Sequence, residues 1–546
     1  MRFNKTNTNK TNFLFLWLHC WLLAFFSVSV TAHTDPRQCD YVASLTLPFT
    51  SVVTTKAVAA GDYIAPDGKT YPVPAFCRVH LQASPSEDSL IHSEIWLPQT
   101  GWNGRYYQLG NVSFSGAIYY SSMVSVLQAG NAVAMTDDGN QSKGLNANWA
   151  INHPQKIIDW GYRALKTTSD NARTIIKAFY KAEPSYTYFS GCSTGGRQAL
   201  VAAQRFPQDW DGVLVGAPAS LMHFHGFLSN QQALTATGAS YIPPQKLPLI
   251  QKFALASCDA NARVIDGIAS DPRFCRFDPA KLLCKDKDHR TCLTQPQLDA
   301  LEQIYRGPSH PKTGQLLYPG FESTLEALWD SVIVADDLEK AGQAFFAREV
   351  FANLVHENDE WTIQSNSLQD NLTALQERRI QGETLEELLV GSPQPGLSDF
   401  QRQGGKLLMY SGWGDAYIAP RYSINYFETM REQIGEEKAQ NFFRLLMAPG
   451  MGHCQGGPGA NAFGQLFGLP SLKDDAHHSI VRALEAWVEK GKAPDHIIAT
   501  KYRDDKPDAG VLMTRPLCAF PKIAVYQGQG ELNTADSFIC KEGVQP

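Results

Sequence analysis

Ser193 lies at the centre of Gly191-Cys-Ser-Thr-Gly195, a GxSxG pattern that sets a hydroxyl between two glycines. The preceding run, Tyr186-Thr-Tyr-Phe-Ser190, is aromatic and β-branched, and the following run, Arg197-Gln-Ala-Leu-Val-Ala-Ala-Gln-Arg205, is Ala-rich. Together they predict a strand, a tight elbow and a helix. Such an elbow lifts the hydroxyl above the sheet edge, and the helix N-terminus offers unpaired N–H groups to a developing oxyanion. GxSxG alone arises by chance in a chain with 42 glycines, so the flanks carry the argument.

A serine nucleophile needs a base to take its proton and an acid to orient that base. On a strand–elbow–helix scaffold these follow in the order Ser, Asp or Glu, His. Asp415, in Ser411-Gly-Trp-Gly-Asp-Ala416, comes just after the apolar run Lys406 to Tyr410. His453, in Pro449-Gly-Met-Gly-His-Cys454, comes just after the run Phe442 to Met447. Both are expected at strand ends facing the elbow. For the oxyanion, one donor is expected from the backbone N–H of Thr194 and a second from the loop Gly110 to Gly116, with Ser113 nominated. Cys192 precedes the nucleophile and Cys454 follows the base, so a disulfide between them would tether the two. The alternatives are a free thiol at Cys192 with Cys454 paired elsewhere, or Cys192 itself as nucleophile, which the central elbow position of Ser193 disfavours.

The elements that must position these groups come from a chain of 546 residues, 43% hydrophobic, with a formal charge of −6. That is ample for one large domain with an insertion, and mild acidity leaves no footprint for nucleic acid or an anionic membrane. Residues 1–32 hold Arg2, Lys5 and Lys10, an apolar run from Phe13 to Val30 and small residues up to Ala32. They read as a signal peptide, so the mature protein is expected to be secreted or periplasmic, off the membrane after cleavage; the alternative is an uncleaved anchor, since the run is nearly long enough to span a bilayer, which the small residues at its end disfavour. Cys20 falls in that leader, and ten cysteines remain, an even set that in an exported chain suggests five disulfides. No CxxC pair supports zinc.

Val79 to Leu81, Glu94 to Leu97, Arg105 to Leu109, Ala132 to Met135 and Gly212 to Val215 read as strands, and Pro154 to Tyr180 as one or two amphipathic helices. This alternation predicts a largely parallel sheet covered on both faces, an α/β-hydrolase fold. Residues 221–400 break the rhythm and are expected to form a lid domain over a catalytic domain of residues 33–220 and 401–546. The stretch Gln364 to Gln381 is expected on the surface, and His478 to Val488 as a helix begun by solvated His477 and His478.

Gly191-Cys-Ser-Thr-Gly-Gly-Arg197, Gly412-Trp-Gly-Asp415 and Gly450-Met-Gly-His-Cys454 resemble the tannase and feruloyl esterase family, secreted serine esterases with a Cys-Ser, Asp, His-Cys arrangement. Gly101-Trp-Asn-Gly-Arg-Tyr106, Asn148-Trp-Ala-Ile-Asn-His-Pro154 and Asp159-Trp-Gly-Tyr-Arg-Ala164 extend the resemblance over nearly the whole mature chain. It implies the pairs Cys39–Cys77, Cys192–Cys454, Cys258–Cys275, Cys284–Cys292 and Cys518–Cys540. It also implies a structural calcium in the lid, with Asp259, Val264, Asp266 and Ile268 as the matching ligands. Ala262 stands where the family usually carries another aspartate. No cofactor is implied for catalysis. The implied substrates are small esters of aromatic acids: hydroxycinnamates, gallate or terephthalate monoesters. A serine peptidase or acyltransferase on the same fold, or a non-catalytic binder of polyphenols or carbohydrates, are the other readings. His223 and His225, spaced like a metal pair but with no third ligand, are expected to be lining or structural residues, and Trp413 to pack in the core unless an aromatic acyl pocket uses it. Arg348, Arg378 and Arg379 are candidates for a free carboxylate, and Asn111, Asn140 and Asn371 match the glycosylation pattern.

Overall fold

Strands Thr50–Val58 (β1), Phe76–Ala83 (β2), Ile91–Pro98 (β3), Arg105–Leu109 (β4), Ala132–Thr136 (β5), Tyr186–Cys192 (β6), Gly212–Gly216 (β7), Lys406–Gly412 (β8) and Phe443–Ala448 (β9) form one nine-stranded sheet. Its order is β1-β2-β3-β5-β4-β6-β7-β8-β9. This computed structural model describes residues 37–258, 266–285, 290–390 and 396–543; the expected signal peptide lies outside the described residues. From β5 to β9 all neighbours are parallel, whereas β1, β2 and β3 pair antiparallel and β3 joins β5 antiparallel.

Burial explains why the two halves read differently in sequence. β7 is buried at every position, and β6 and β8 at all but their first. A parallel strand under helices on both faces is apolar throughout. In β2, buried residues alternate with half-buried ones, as expected where one face meets solvent. The antiparallel wing departs from the largely parallel sheet expected there. Two C-terminal hairpins also add to the fold: His496–Tyr502 with Val511–Cys518, and Lys522–Tyr526 with Phe538–Glu542.

Residues 217–405 leave the sheet between adjacent β7 and β8 and are mostly helical, including Leu221–Thr235, Gln295–Arg306 and Gly342–Arg348. Phe227, Leu301, Trp329 and Trp361 of this insertion share one apolar cluster with Phe114, Ile157 and Trp160. The insertion therefore packs onto the segments after β4 and β5. Within it, Leu368–Glu377 is an amphipathic helix burying Leu372 and Leu375, so the stretch expected on the surface has one face in the core.

The late helix runs Ile480–Lys490, capped by Ser479. His477 and His478 precede it, and His478 is buried with Nδ1 2.7 Å from Asp475 Oδ1, not solvated. All five disulfides are present, pairing Cys39–Cys77, Cys192–Cys454, Cys258–Cys275, Cys284–Cys292 and Cys518–Cys540. No helix among the described residues is long and apolar enough to cross a membrane.

Candidate active site

β6 ends at Cys192, a helix starts at Thr194, and Ser193 between them adopts φ 63° and ψ −121°. A positive φ at a non-glycine residue costs on the order of 1–3 kcal/mol, so the surroundings must impose it. They do: Ser193 N–H donates to the Gly216 carbonyl at 3.0 Å, and the Ser193 carbonyl accepts from Arg197 N–H and Ala219 N–H, both at 3.0 Å. The flanking glycines are required by space. A Cβ on Gly191 would sit 2.4 Å from the Gly195 carbonyl, and one on Gly195 would sit 2.9 Å from the Asn111 carbonyl.

Asp415 lies in the turn after β8 and is buried. Its Oδ1 accepts from Tyr417 N–H and Ile418 N–H, both at 2.8 Å, and its Oδ2 lies 2.7 Å from His453 Nδ1. An ionised carboxylate only accepts, so His453 carries its proton on Nδ1 and keeps Nε2 free as a base. The Tyr417 ring stands edge-on to His453 with centroids 5.2 Å apart. Cys454 is bonded to Cys192, which rules out both the free thiol and the cysteine nucleophile.

Ser193, Thr194, His453, Val112 and Ser113 line one cavity of about 210 Å³. Its other walls are Leu145, Ala219, Ile418, Tyr417 and, from the insertion, His223, Phe224, Phe227 and Phe346. An apolar cavity of roughly 150 Å³ already admits a benzene ring. No lysine or arginine lines it. Sequence reading missed Tyr417 and the three phenylalanines; His223, expected in a lining or structural role, lines the cavity. The ring of His223 is buried, with Nδ1 against the Ser220 backbone, and burial pushes its pKa down to about 3, so it stays neutral.

Thr194 N–H, at the first helical position, has no intrahelical acceptor. Ser113 has φ 53°, and neither Val112 N–H nor Ser113 N–H has a partner among the described residues. Asn111 N–H is already committed, donating to Gln198 Oε1 at 2.7 Å.

Other singled-out residues lie elsewhere. His225 Nε2 meets the Leu368 carbonyl at 3.2 Å, away from His223, so the pair does not converge on a metal. Trp413 is buried in the sheet core beneath Arg273. Arg348 is exposed, Arg378 pairs with Glu357 at 2.9 Å, and Arg379 caps the Gly382 carbonyl. Asn111 and Asn371 are fully buried and Asn140 is 6% exposed, so none can accept a glycan in the folded state. Of the expected calcium ligands, Asp259 and Val264 lie outside the described residues. Asp266 Oδ2 accepts from Arg515 Nη2 at 2.6 Å and Ile268 is buried. A guanidinium already neutralises the Asp266 carboxylate, and no cluster of three acidic, His or Cys side chains among the described residues could hold a metal.

With this geometry in hand, residues 77–541 match the sequence profile of a family described as tannase and feruloyl esterase. The chain is 41% identical over 539 residues to an uncharacterized esterase of Xanthomonas campestris pv. campestris, covering 95% of this chain and 93% of that protein. It is 31% identical over 469 residues to a probable feruloyl esterase B-2 of Aspergillus flavus, covering 84% and 85%. The crystal structure of feruloyl esterase B from Aspergillus oryzae superposes with a TM-score of 0.82 at 26% identity, covering 93% of this chain and all of that one.

Proposed function

The chain belongs to the tannase and feruloyl esterase family and is a carboxylic ester hydrolase, and we propose that it is an exported serine esterase acting on esters of aromatic carboxylic acids through an acyl-enzyme. Ser193 Oγ attacks the ester carbonyl while His453 Nε2 takes its proton, and Asp415 orients His453 and balances the imidazolium charge. Thr194 N–H and an N–H of the Val112–Ser113 segment hold the oxyanion. The protonated His453 then returns its proton to the leaving alcohol. Water, deprotonated by the same nitrogen, releases the acid.

The observation that carries this reading is the 2.7 Å contact of Asp415 Oδ2 with His453 Nδ1 at a cavity shared with Ser193. The aromatic walls support an aromatic acyl group, and the names of the feruloyl esterase relatives agree. With no cationic side chain in the lining, an acid bearing a second free carboxylate would be left unpaired there, which favours uncharged rings over terephthalate monoesters. Residues 221–400 act as the lid that sets this choice, through His223, Phe224, Phe227 and Phe346. Five disulfides and the signal-like residues 1–32 support export. Calcium is not needed for any step, and Asp266 serves to bind Arg515.

The test is hydrolysis of methyl ferulate, methyl gallate and mono-(2-hydroxyethyl) terephthalate by the wild type and by Ser193→Ala. Turnover of at least one ester, abolished in the variant, supports the reading. Release of no acid from any of them by the folded, oxidised protein would overturn it.

A further inference from the structure

Two buried side chains, Gln198 and Asp138, and the backbone N–H of Asn111 form a chain of hydrogen bonds that the mechanism above does not use. Gln198, on the helix that follows Ser193, accepts from Asn111 N–H through Oε1 at 2.7 Å and donates through Nε2 to Asp138 Oδ2 at 2.7 Å. All three residues are fully buried. Asn111 is further tied by Nδ2 to the Thr136 carbonyl at 2.8 Å, and Gly110 N–H donates to the Ser190 carbonyl at 2.9 Å. Val112 and Ser113 follow immediately and line the same cavity as Ser193.

We propose that Gln198 and Asp138 are positioning residues: they clamp the loop at Asn111 so that the N–H groups after it, with Thr194 N–H, are preorganised around the oxyanion. This rests on the serine esterase reading. Three features carry it. The clamp joins the loop directly to the helix that supplies the other donor, so one rigid body carries both halves of the hole. The loop needs holding, because Ser113 has φ 53°. The amide also needs a specified orientation, because Asn111 offers a donor that only Oε1 can meet, and Asp138 Oδ2, which accepts whether or not the carboxyl carries a proton on Oδ1, meets Nε2 on the other side. Burial pushes the pKa of the Asp138 carboxyl well up, and burying this polar group is costly beside an apolar side chain of similar size, so a clamp with no directional task would not require it. Charges around Asp138 come from Arg197 on the helix, from Asp137 beside it and from Asp159.

The experiment compares wild type, Gln198→Met, Asp138→Asn and Gln198→Glu on p-nitrophenyl acetate and methyl ferulate. It also measures binding of an arylboronic acid, which forms a tetrahedral adduct on a catalytic serine, and of free ferulate. Gln198→Met is expected to lower kcat by about ten- to a hundredfold, less than the ~10²–10³ for deleting an oxyanion donor outright. Boronate affinity should fall by the same factor while ferulate affinity stays unchanged. Asp138→Asn accepts from Gln198 Nε2 only with its amide oxygen turned that way, so its kcat and boronate affinity should both fall, by less than in Gln198→Met. Gln198→Glu keeps the acceptor for Asn111 but faces Asp138 with a second carboxyl, and the two must share a proton. Its kcat relative to wild type should therefore fall as pH rises from about 5 to 8, and this outcome decides the matter if Gln198→Met fails to fold. Unchanged kcat and boronate affinity in Gln198→Met, equal loss of ferulate and boronate binding, or a flat pH ratio for Gln198→Glu would each overturn the proposal. Fluorophosphonate labelling of the wild type separates the two levels. If Ser193 is labelled and the clamp variants behave as wild type, the clamp alone fails, whereas an unlabelled Ser193 removes the esterase reading and the clamp with it.

Discussion

Cys192 and Cys454, separated by 262 residues, join the residue before Ser193 to the residue after His453. β6 and the loop after β9 are not neighbours in the sheet, with β7 and β8 between them. The disulfide is thus the shortest covalent path between Ser193 and His453, the proposed nucleophile and base. A Cys192→Ala/Cys454→Ala double variant is expected to lose about 2–5 kcal/mol of stability. It should also lose kcat by more than the unfolded fraction explains, because His453 gains freedom on a loop containing Gly450 and Gly452. Urea denaturation with kcat measured well below the midpoint checks this. A variant that is less stable but has wild-type kcat would show the bond to be structural only.

Asp415 uses both oxygens, and that makes an isosteric change informative. In Asp415→Asn, Oδ1 remains the only acceptor for Tyr417 and Ile418 N–H, so the new NH₂ group faces His453 Nδ1. A donor there forces the other tautomer, with the proton on Nε2 where the base should be. We expect kcat to drop by roughly 10⁴-fold with the fold and KM little changed. A loss under tenfold would mean that Asp415 does not orient the base.

Leu145 lines the cavity yet is 43% exposed, so a larger side chain there can be accepted without repacking the core. Leu145→Trp is expected to narrow the space beside Phe224 and Phe346. Turnover of methyl ferulate should fall at least tenfold, a difference of about 1.4 kcal/mol in barrier, while p-nitrophenyl acetate, whose acyl group is two carbons, should be hydrolysed at a near wild-type rate. Equal losses on both esters would place the acyl group elsewhere.

The parts of this molecule that are legible in sequence are those in which local pattern and function coincide. Tyr186–Cys192 and Thr194–Arg205 declare themselves because the strand is apolar throughout, the helix is Ala-rich, and the glycines required by close packing flank the serine. Asp415 and His453 can be named because each follows an apolar run by a few residues. What stays hidden depends on three-dimensional neighbours. Phe224, Phe227 and Phe346 look like any insertion-core residues until the insertion folds onto the segments after β4 and β5. His223 and His225, two residues apart, suggest a pair, but i and i+2 project from roughly opposite sides of a helix, one to the cavity and the other to the Leu368 carbonyl. The sequons at Asn111, Asn140 and Asn371 are valid as strings and buried as residues, and burial is not written in a tripeptide. β1 and the C-terminal hairpins form small antiparallel units whose half-exposed strands lack the long apolar runs of the parallel core.

Glu326 gives the fold a pH dependence whose sign can be worked out. It is fully buried in the insertion, with Oε1 accepting from the Tyr305 hydroxyl and from Thr324 N–H, while Oε2 has no partner among the described residues. Burial pushes its pKa from 4.5 to about 7. Below about 4.5 both folded and unfolded chains hold the proton and there is no penalty. Between 4.5 and 7 the unfolded chain releases a proton that the folded chain keeps, so stability falls as pH rises through this window and levels off above it. The span corresponds to on the order of 3 kcal/mol. Asp137, buried and pushed up to about 7, adds a slope of the same sign. Glu326→Gln removes the titration and supplies an NH₂ group in place of the unpartnered oxygen. Urea unfolding at pH 5 and pH 8 should therefore show a smaller loss of stability in the variant than in the wild type, by on the order of 2 kcal/mol, with the residual slope set by the other shifted groups, Asp137 among them. If both proteins lose the same stability across that interval, Glu326 is already ionised in the folded state, and the insertion must hold its charge by a route other than the contacts described.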